Sequence, residues 1–307
     1  MVSIIIPTLN ASKYLPDLLT RLVNQAFSDK EIIIIDSSSQ DSTANIGRSF
    51  GTKIITIKRE DFDHGETRNL GFSKAEGNIV VFLTQDAIPT NEYALENLIK
   101  PFHDDNLIAA VYGRQLPNPD ASPISTHLRL FNYPDTSYTR SINDRTIYGI
   151  KTIFLSNSFS AYRREALDKI GMFKKKLIFG EDMHAAARLL LAGYKVAYNA
   201  DAMVYHSHNY GVYHEFKRYF DLGVLHGSED WILKEFGKTG KEGKKYINSG
   251  LSYLLKEKRS QLIPSFLFRN SLKYIGYNLG LRYDKIPRTL ACRFSMNKTW
   301  WANTAKN

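Results

Sequence analysis

Four short runs of branched aliphatic residues, at 2–7, 31–35, 53–57 and 79–83, alternate with stretches whose apolar side chains recur at helical spacing. Runs this short and continuous fit strands buried on both faces, and such strands belong to parallel sheets joined by helical crossovers. The first gap shows the pattern. Asn10, Ala11 and Ser12 offer helix-capping side chains, and Leu15, Leu18, Leu19, Leu22 and Val23 follow on one helical face. A second helix is expected from Ser42 and Thr43, and a third over 67–74. The alternation predicts an α/β fold, a mostly parallel, right-handed sheet with helices on both faces.

Downstream, a helix is expected over 91–102, a strand over 109–113 and a strand over 152–162. Helices at 164–170 and 181–192 and a last strand at 195–198 follow. Residues 114–150 read as a long irregular segment rich in Pro, Asp, Ser and Tyr, a length usually reserved for functional loops. From residue 213 the period turns helical.

The charge is unevenly placed. Residues 207–307 carry 18 Lys and Arg against 8 Asp and Glu, so the whole net charge of +10 lies in the last third. This break divides the chain into an α/β domain at 1–212 and a basic helical region at 213–307, which implies an anionic partner for the tail. A lone Cys292 leaves no internal disulfide and fits a reducing compartment. No signal-peptide pattern and no run of about 18 apolar residues is present. A cytoplasmic protein, soluble or peripherally attached, is expected.

Polar clusters stand at the downstream ends of the aliphatic runs, where open α/β sheets bind ligands. Asp36 ends the second run, where its carboxylate can meet a ribose or nucleobase or cap the next helix. Asp41, just before Ser42-Thr43, reads as a cap. Asp86 follows the fourth run and offers a hard oxygen ligand to Mg²⁺ or Mn²⁺ on a phosphate. Arg68, near a helix start, suits a pyrophosphate or a surface ion pair with Glu66 or Asp61. His64, beside Gly65, either faces the site or packs against it. Glu181 and Asp182 open a helix after Gly180. One acid serves the helix dipole, and the second is free to act as general base. His206 and His208 alternate on an expected strand, which aims both imidazoles to one side.

In this order the clusters resemble the inverting GT-A glycosyltransferases of family 2, over roughly residues 1–225. VSIIIPTLN at 2–10 resembles the family's opening strand and DSSSQDST at 36–43 its nucleotide-binding turn. TRNLG at 67–71 resembles its alanine-arginine-asparagine segment, and GED at 180–182 its catalytic-base motif. TQD at 84–86 occupies the place of DxD, with Thr84 in place of the first acid. The resemblance implies donor contacts from Pro7, Thr8, Asn10, Asp36, His64, Arg68, Asn69, Gln85 and Asp86. It implies a Mg²⁺ or Mn²⁺ ion on Asp86 and His206, and Asp182, with Glu181 beside it, as catalytic base. Asn157 and His208 are candidate contacts to acceptor or donor. FDHG at 62–65, QDA at 85–87 and HSH at 206–208 resemble bacterial rhamnosyltransferases of polysaccharide assembly. That implies dTDP-β-L-rhamnose as donor, a lipid-linked or saccharide acceptor, and a single in-line displacement giving an α-L-rhamnoside.

The tail mixes aromatic, aliphatic and cationic residues, as in FKRYF at 216–220 and LKYIGY at 272–277. Such helices lie in an anionic membrane surface, or pack on the core or in a homodimer. A nucleic-acid-binding protein fits poorly, because no nucleic-acid motif accompanies the charge and the acidic clusters would stand idle. A nucleotidyltransferase would need a glycine-rich basic N-terminal loop, which PTLNA at 7–11 is not. A non-catalytic scaffold of the same fold is weakened by the retained Asp86 and Asp182.

Overall fold

The computed structural model describes residues 1–237 and 240–303. Among them, nine strands form one sheet: β1 (Val2–Thr8), β2 (Lys30–Asp36), β3 (Lys53–Thr56), β4 (Ile79–Leu83), β5 (Ile88–Pro89), β6 (Ile108–Leu116), β7 (Tyr138–Arg140), β8 (Phe159–Arg163) and β9 (Lys195–Tyr205). Their order is β3-β2-β1-β4-β8-β6-β9-β5, with β7 also on β9. Strands β1 to β4 pair in parallel, as do β6 and β9, while β5, β7 and β8 run against them. The downstream ends of β1, β2, β4, β6 and β9 therefore share one edge, and so does the start of the antiparallel β8.

The isoleucine runs become central strands because both faces are covered. Ile5, Ile33, Ile35, Val80 and Phe82 point into one core with Phe72 and the alanines of the helix Glu181–Leu191. Ile4, Ile6, Ile34, Val81 and Leu83 point into the other, against Leu15, Leu18, Leu19 and Leu22 of the helix Leu15–Val23. Each such leucine, removed from water, contributes roughly 1.5–3 kcal/mol.

Several expected boundaries move, each for a local reason. Asn10 and Ser12 do not cap the first helix. Asn10 adopts φ 49°, its Oδ1 accepts from the Gln40 N–H, and the Ser12 N–H donates to Asp41, so both latch the loop after β1 to the loop after β2. The third helix starts at His64, three residues early, because Asp63 Oδ1 accepts from the N–H groups of Gly65 and Glu66. The expected 91–102 helix divides into Ala94–Ile99 and Pro101–Asp104, since Pro101 lacks an N–H to continue the first. The expected strand at 152–162 is a 3₁₀ turn (Gly149–Ile153), a half-buried loop and then β8. The segment 114–150 carries a helix, Pro123–Asn132, with Ser122 accepting from the Ser125 N–H at its start.

The chain after β9 is helical: Val212–Ser228, Asp230–Phe236, Gly240–Lys256, Ile263–Gly280, Arg288–Phe294 and Lys298–Asn303. The helices Val212–Ser228 and Ile263–Gly280 meet backbone to backbone. A Cβ at Gly223 would collide with the Tyr277 carbonyl, and one at Gly280 with that of Phe220.

Candidate active site

The shared sheet edge gathers two polar groups. The first forms where β4, β6 and β9 end. Asp86 Oδ1 lies 3.5 Å from His206 Nε2, and Asp86 Oδ2 lies 3.8 Å from His208 Nε2. One ligand atom from each residue falls within 4.8 Å of the others. Strand β9 stops at Tyr205, so the two histidines lie just past it and not on a strand; the His206 N–H nonetheless donates to the Leu116 carbonyl and extends the β6 pairing.

The protonation state of His206 follows from its neighbours. Arg129 Nη1, which can only donate, lies 2.6 Å from Gln115 Oε1, and His206 Nδ1 lies 2.8 Å from that same oxygen. The oxygen accepts from both, so His206 carries its proton on Nδ1 and turns the Nε2 lone pair toward Asp86. Burial, reinforced by the Arg129 charge, pushes the His206 pKa well below the usual range and keeps the ring neutral. His208 is held down by burial too, against the opposing pull of Asp86. A carboxylate and two neutral imidazoles are a donor set that fits a divalent cation.

The second group forms where β8 begins and the helix Glu181–Leu191 starts. Gly180, at φ 78°, turns the chain so that both acids enter the helix's first turn. Asn157 connects them. Its N–H donates to Asp182 Oδ2 at 3.0 Å and its Nδ2 to Glu181 Oε1 at 3.0 Å, while its Oδ1 accepts from Ser160 and Tyr162. Arg68 is buried, not on the surface, and its Nη1 lies 3.2 Å from Glu181 Oε1 and donates to the His64 carbonyl. Burial pushes the Glu181 carboxyl up, but Arg68, then His64, outweighs it and holds the pKa below the usual value. Asp182 has no such cation. Burial, with the Glu181 charge adding to it, pushes it up to about 6. The two adjacent carboxyls are thus pushed in opposite directions, Glu181 toward the ionised form and Asp182 toward neutrality.

The remaining residues singled out in the sequence frame this edge. Thr8 Oγ1 donates to Asp36 Oδ1 at 3.0 Å, and the Ser39 N–H donates to Asp36 Oδ2, so Asp36 is fixed and buried at the end of β2. Pro7 sits beside Ile35 in register, and the Asn10 N–H donates to Ser39 Oγ. Gln85 exchanges two hydrogen bonds with the Leu9 backbone and so joins the β1 and β4 loops. Asn69 uses both ends of its amide on the Phe173 backbone. His64 is partly buried and depressed by burial, with Glu181 opposing. Thr84 Oγ1, in the place of the missing acid, is buried without a hydrogen-bond partner among the described residues.

Three contributors carried no local sequence signal: Gln115, Arg129 and Arg218. Arg218 extends from the helix Val212–Ser228, with its Cζ 6.0 Å from the Tyr210 ring, whose centroid lies 5.0 Å from that of His208. It is exposed and makes no hydrogen bond or ion pair among the described residues, and its charge disfavours protonation of His206 and His208.

Residues 3–171, spanning β1 to the end of the helix after β8, match the domain described as Glycosyl transferase family 2. The chain belongs to glycosyltransferase family 2. It is 43% identical over 304 residues to the O-antigen chain rhamnosyltransferase RfbN of Salmonella typhimurium, covering 98% of this chain and 96% of that one. To WbaN of Salmonella anatum, which bears the same description, it is 44% identical over 303 residues with the same coverage. Among solved structures, a mannosyltransferase from Pyrobaculum calidifontis in complex with GDP-Man and Mn²⁺ superposes with a TM-score of 0.65 at 17% identity, over 93% of this chain and 88% of that one. The S. aureus TarS 1–349 fragment superposes with a TM-score of 0.58 at 18% identity, over 92% and 91% of the two chains. These likenesses establish the GT-A fold: the α/β sheet read from the sequence, with helices after it. The chain is a glycosyltransferase.

Proposed function

We propose that this family 2 glycosyltransferase moves L-rhamnose from dTDP-β-L-rhamnose to a hydroxyl of a lipid-linked or saccharide acceptor in bacterial surface-polysaccharide synthesis. The observation that carries the reading is the full-length likeness, at 43% and 44% identity, to two O-antigen chain rhamnosyltransferases. The site supports it in kind. Asp182, unpaired with any cation and raised toward neutrality, takes the proton of the acceptor hydroxyl. The acceptor oxygen then forms its bond to the anomeric carbon as the bond to the dTDP oxygen breaks on the opposite side, and the β-linked donor becomes an α-L-rhamnoside. Alignment of the two oxygens supplies much of the effect.

Asp86, His206 and His208 would hold Mg²⁺ or Mn²⁺, which neutralises charge on the departing diphosphate. Two imidazoles in the donor set favour Mn²⁺ over Mg²⁺. Arg218 reaches the same diphosphate from the helical region, and Asp36 with the loop after β1 takes the nucleoside. Attachment to the cytoplasmic face of the membrane follows from a lipid-linked acceptor.

The test is turnover of a panel of donors, dTDP-rhamnose beside UDP- and GDP-linked sugars, with and without each metal. Selective, metal-dependent use of dTDP-rhamnose is expected. Turnover of a UDP-sugar in its place would overturn the rhamnose assignment and leave the mechanism, and metal-independent turnover would remove Asp86, His206 and His208 from it.

A further inference from the structure

The helix Ile263–Gly280 has two unlike faces. Its inner face is locked to the helix Val212–Ser228 through Gly276 and Gly280, where a Cβ would meet the carbonyls of Phe216 and Phe220. Its two cations, Arg269 and Lys273, also turn inward, onto Glu215 at 3.2 and 3.4 Å. The outer face is thereby left without charge: Pro264, Leu267, Phe268, Ser271, Tyr274 and Ile275 are all exposed, Phe268 by 59% and Tyr274 by 71%. Positions 264, 267, 268, 271, 274 and 275 follow the 3.6-residue period, so these side chains form one stripe. Eighteen residues give the helix a length of about 27 Å.

Both ends of the stripe are cationic. Lys256, Lys258 and Arg259 precede it, Arg282 and Lys285 follow it, and all five are exposed and make no ion pair among the described residues. Only Glu257 and Asp284 oppose them nearby. An uncharged aromatic stripe between two groups of free cations complements an anionic lipid surface: the rings enter the boundary between headgroups and acyl chains while the cations meet lipid phosphates. No helix among the described residues is long and apolar enough to cross a membrane, so this element would lie in the interface.

We propose that the outer face of Ile263–Gly280, with its flanking cations, is the surface on which this protein docks to an anionic bilayer. The proposal gives the membrane attachment of the functional reading a specific surface and rests on that reading only for the acceptor. Because the same helix packs on Val212–Ser228, which carries Arg218, docking also sets the orientation of the candidate active site above the lipid.

The full chain should co-sediment with vesicles of phosphatidylglycerol and phosphatidylcholine and remain in solution with phosphatidylcholine alone. Phe268→Glu combined with Tyr274→Glu should lower the bound fraction at least tenfold, and Lys258→Glu with Arg282→Glu should weaken it by roughly fivefold or more per cation. Both double variants should hydrolyse the nucleotide-sugar donor in solution as the parent does, which reports folding. Equal binding of parent and variants, or no binding of the parent, overturns the proposal. So does a parent that is dimeric by light scattering, binds no vesicles and becomes monomeric on Phe268→Glu, for the stripe would then belong to a second copy. Vesicle binding that follows the expected pattern in a protein that turns over no donor would uphold the surface and remove the transfer reading instead.

Discussion

Glu181 and Asp182 are adjacent in sequence and buried together, yet they hold opposite charge preferences, because only Glu181 faces Arg68. As a catalytic base Asp182 must be ionised, so transfer should rise with pH through about 6 and level off above it. Asp182→Asn should bind donor as before and lose roughly 10²- to 10⁴-fold in transfer, with the rising limb gone. Retained turnover would pass the role to another group. The proposed metal ligands Asp86, His206 and His208 allow a second test at this scale. Gln115 touches no ligand in the reaction but fixes the His206 tautomer, so Gln115→Leu should weaken Mn²⁺ binding by roughly 10- to 100-fold, as loss of a partner behind a ligating imidazole does. Titration of Mn²⁺ by electron paramagnetic resonance, with nucleoside diphosphate present, reads this directly. Unchanged affinity would mean that the ring is held by burial alone.

At the scale of elements, the parallel half of the sheet was legible because its strands are continuous aliphatic runs and its helices keep a clean period. Asp36 and Asp86 were legible with it, since a strand end fixes where a carboxylate goes. Elements whose partners lie far away in sequence were not. The helix Pro123–Asn132 begins on a Ser-Pro pair, an ordinary start signal, but its apolar residues Ile124, Leu128 and Phe131 pack on Tyr246, Leu254 and Phe266. Nothing local shows that face to be needed. Gln115 and Arg129 were hidden for the same reason, and the choice between Glu181 and Asp182 depends on a cation more than a hundred residues away in sequence. The turn that delivers those acids is testable. Gly180→Ala would place a side chain at φ 78°, a backbone region costing an L-residue roughly 1–2 kcal/mol, with its Cβ 2.5 Å from Leu225 Cδ2. Denaturant unfolding should show that loss, and transfer should fall further than stability, by about 10²-fold if the base shifts by an ångström. Full activity in the variant would show that the helix start tolerates other backbone conformations.

For the whole molecule, the charge break near residue 212 is a change of composition and not a change of core. Leu177 and Ile178, ahead of the helix Glu181–Leu191, share a cluster with Phe220, Val224, Leu225, Ala291 and Trp301. Ile232 and Phe236 pack into the same core as Ile33 and Phe82 of the sheet. Net charge reports solubility and partners, whereas a fold boundary requires that few apolar contacts cross it. Ending the chain at residue 211 would expose the apolar partners of all these side chains at once, along with the Pro123–Asn132 face. The full protein should therefore unfold in a single calorimetric transition whose van't Hoff and calorimetric enthalpies agree. The 1–211 fragment should be recovered unfolded or aggregated, without donor binding. Two separate transitions in the full chain, or a soluble fragment that still binds a nucleoside diphosphate with metal, would mean that the helices are an appendage. Arg218 would then reach the diphosphate from a unit free to move, and membrane docking could no longer set the orientation of the site.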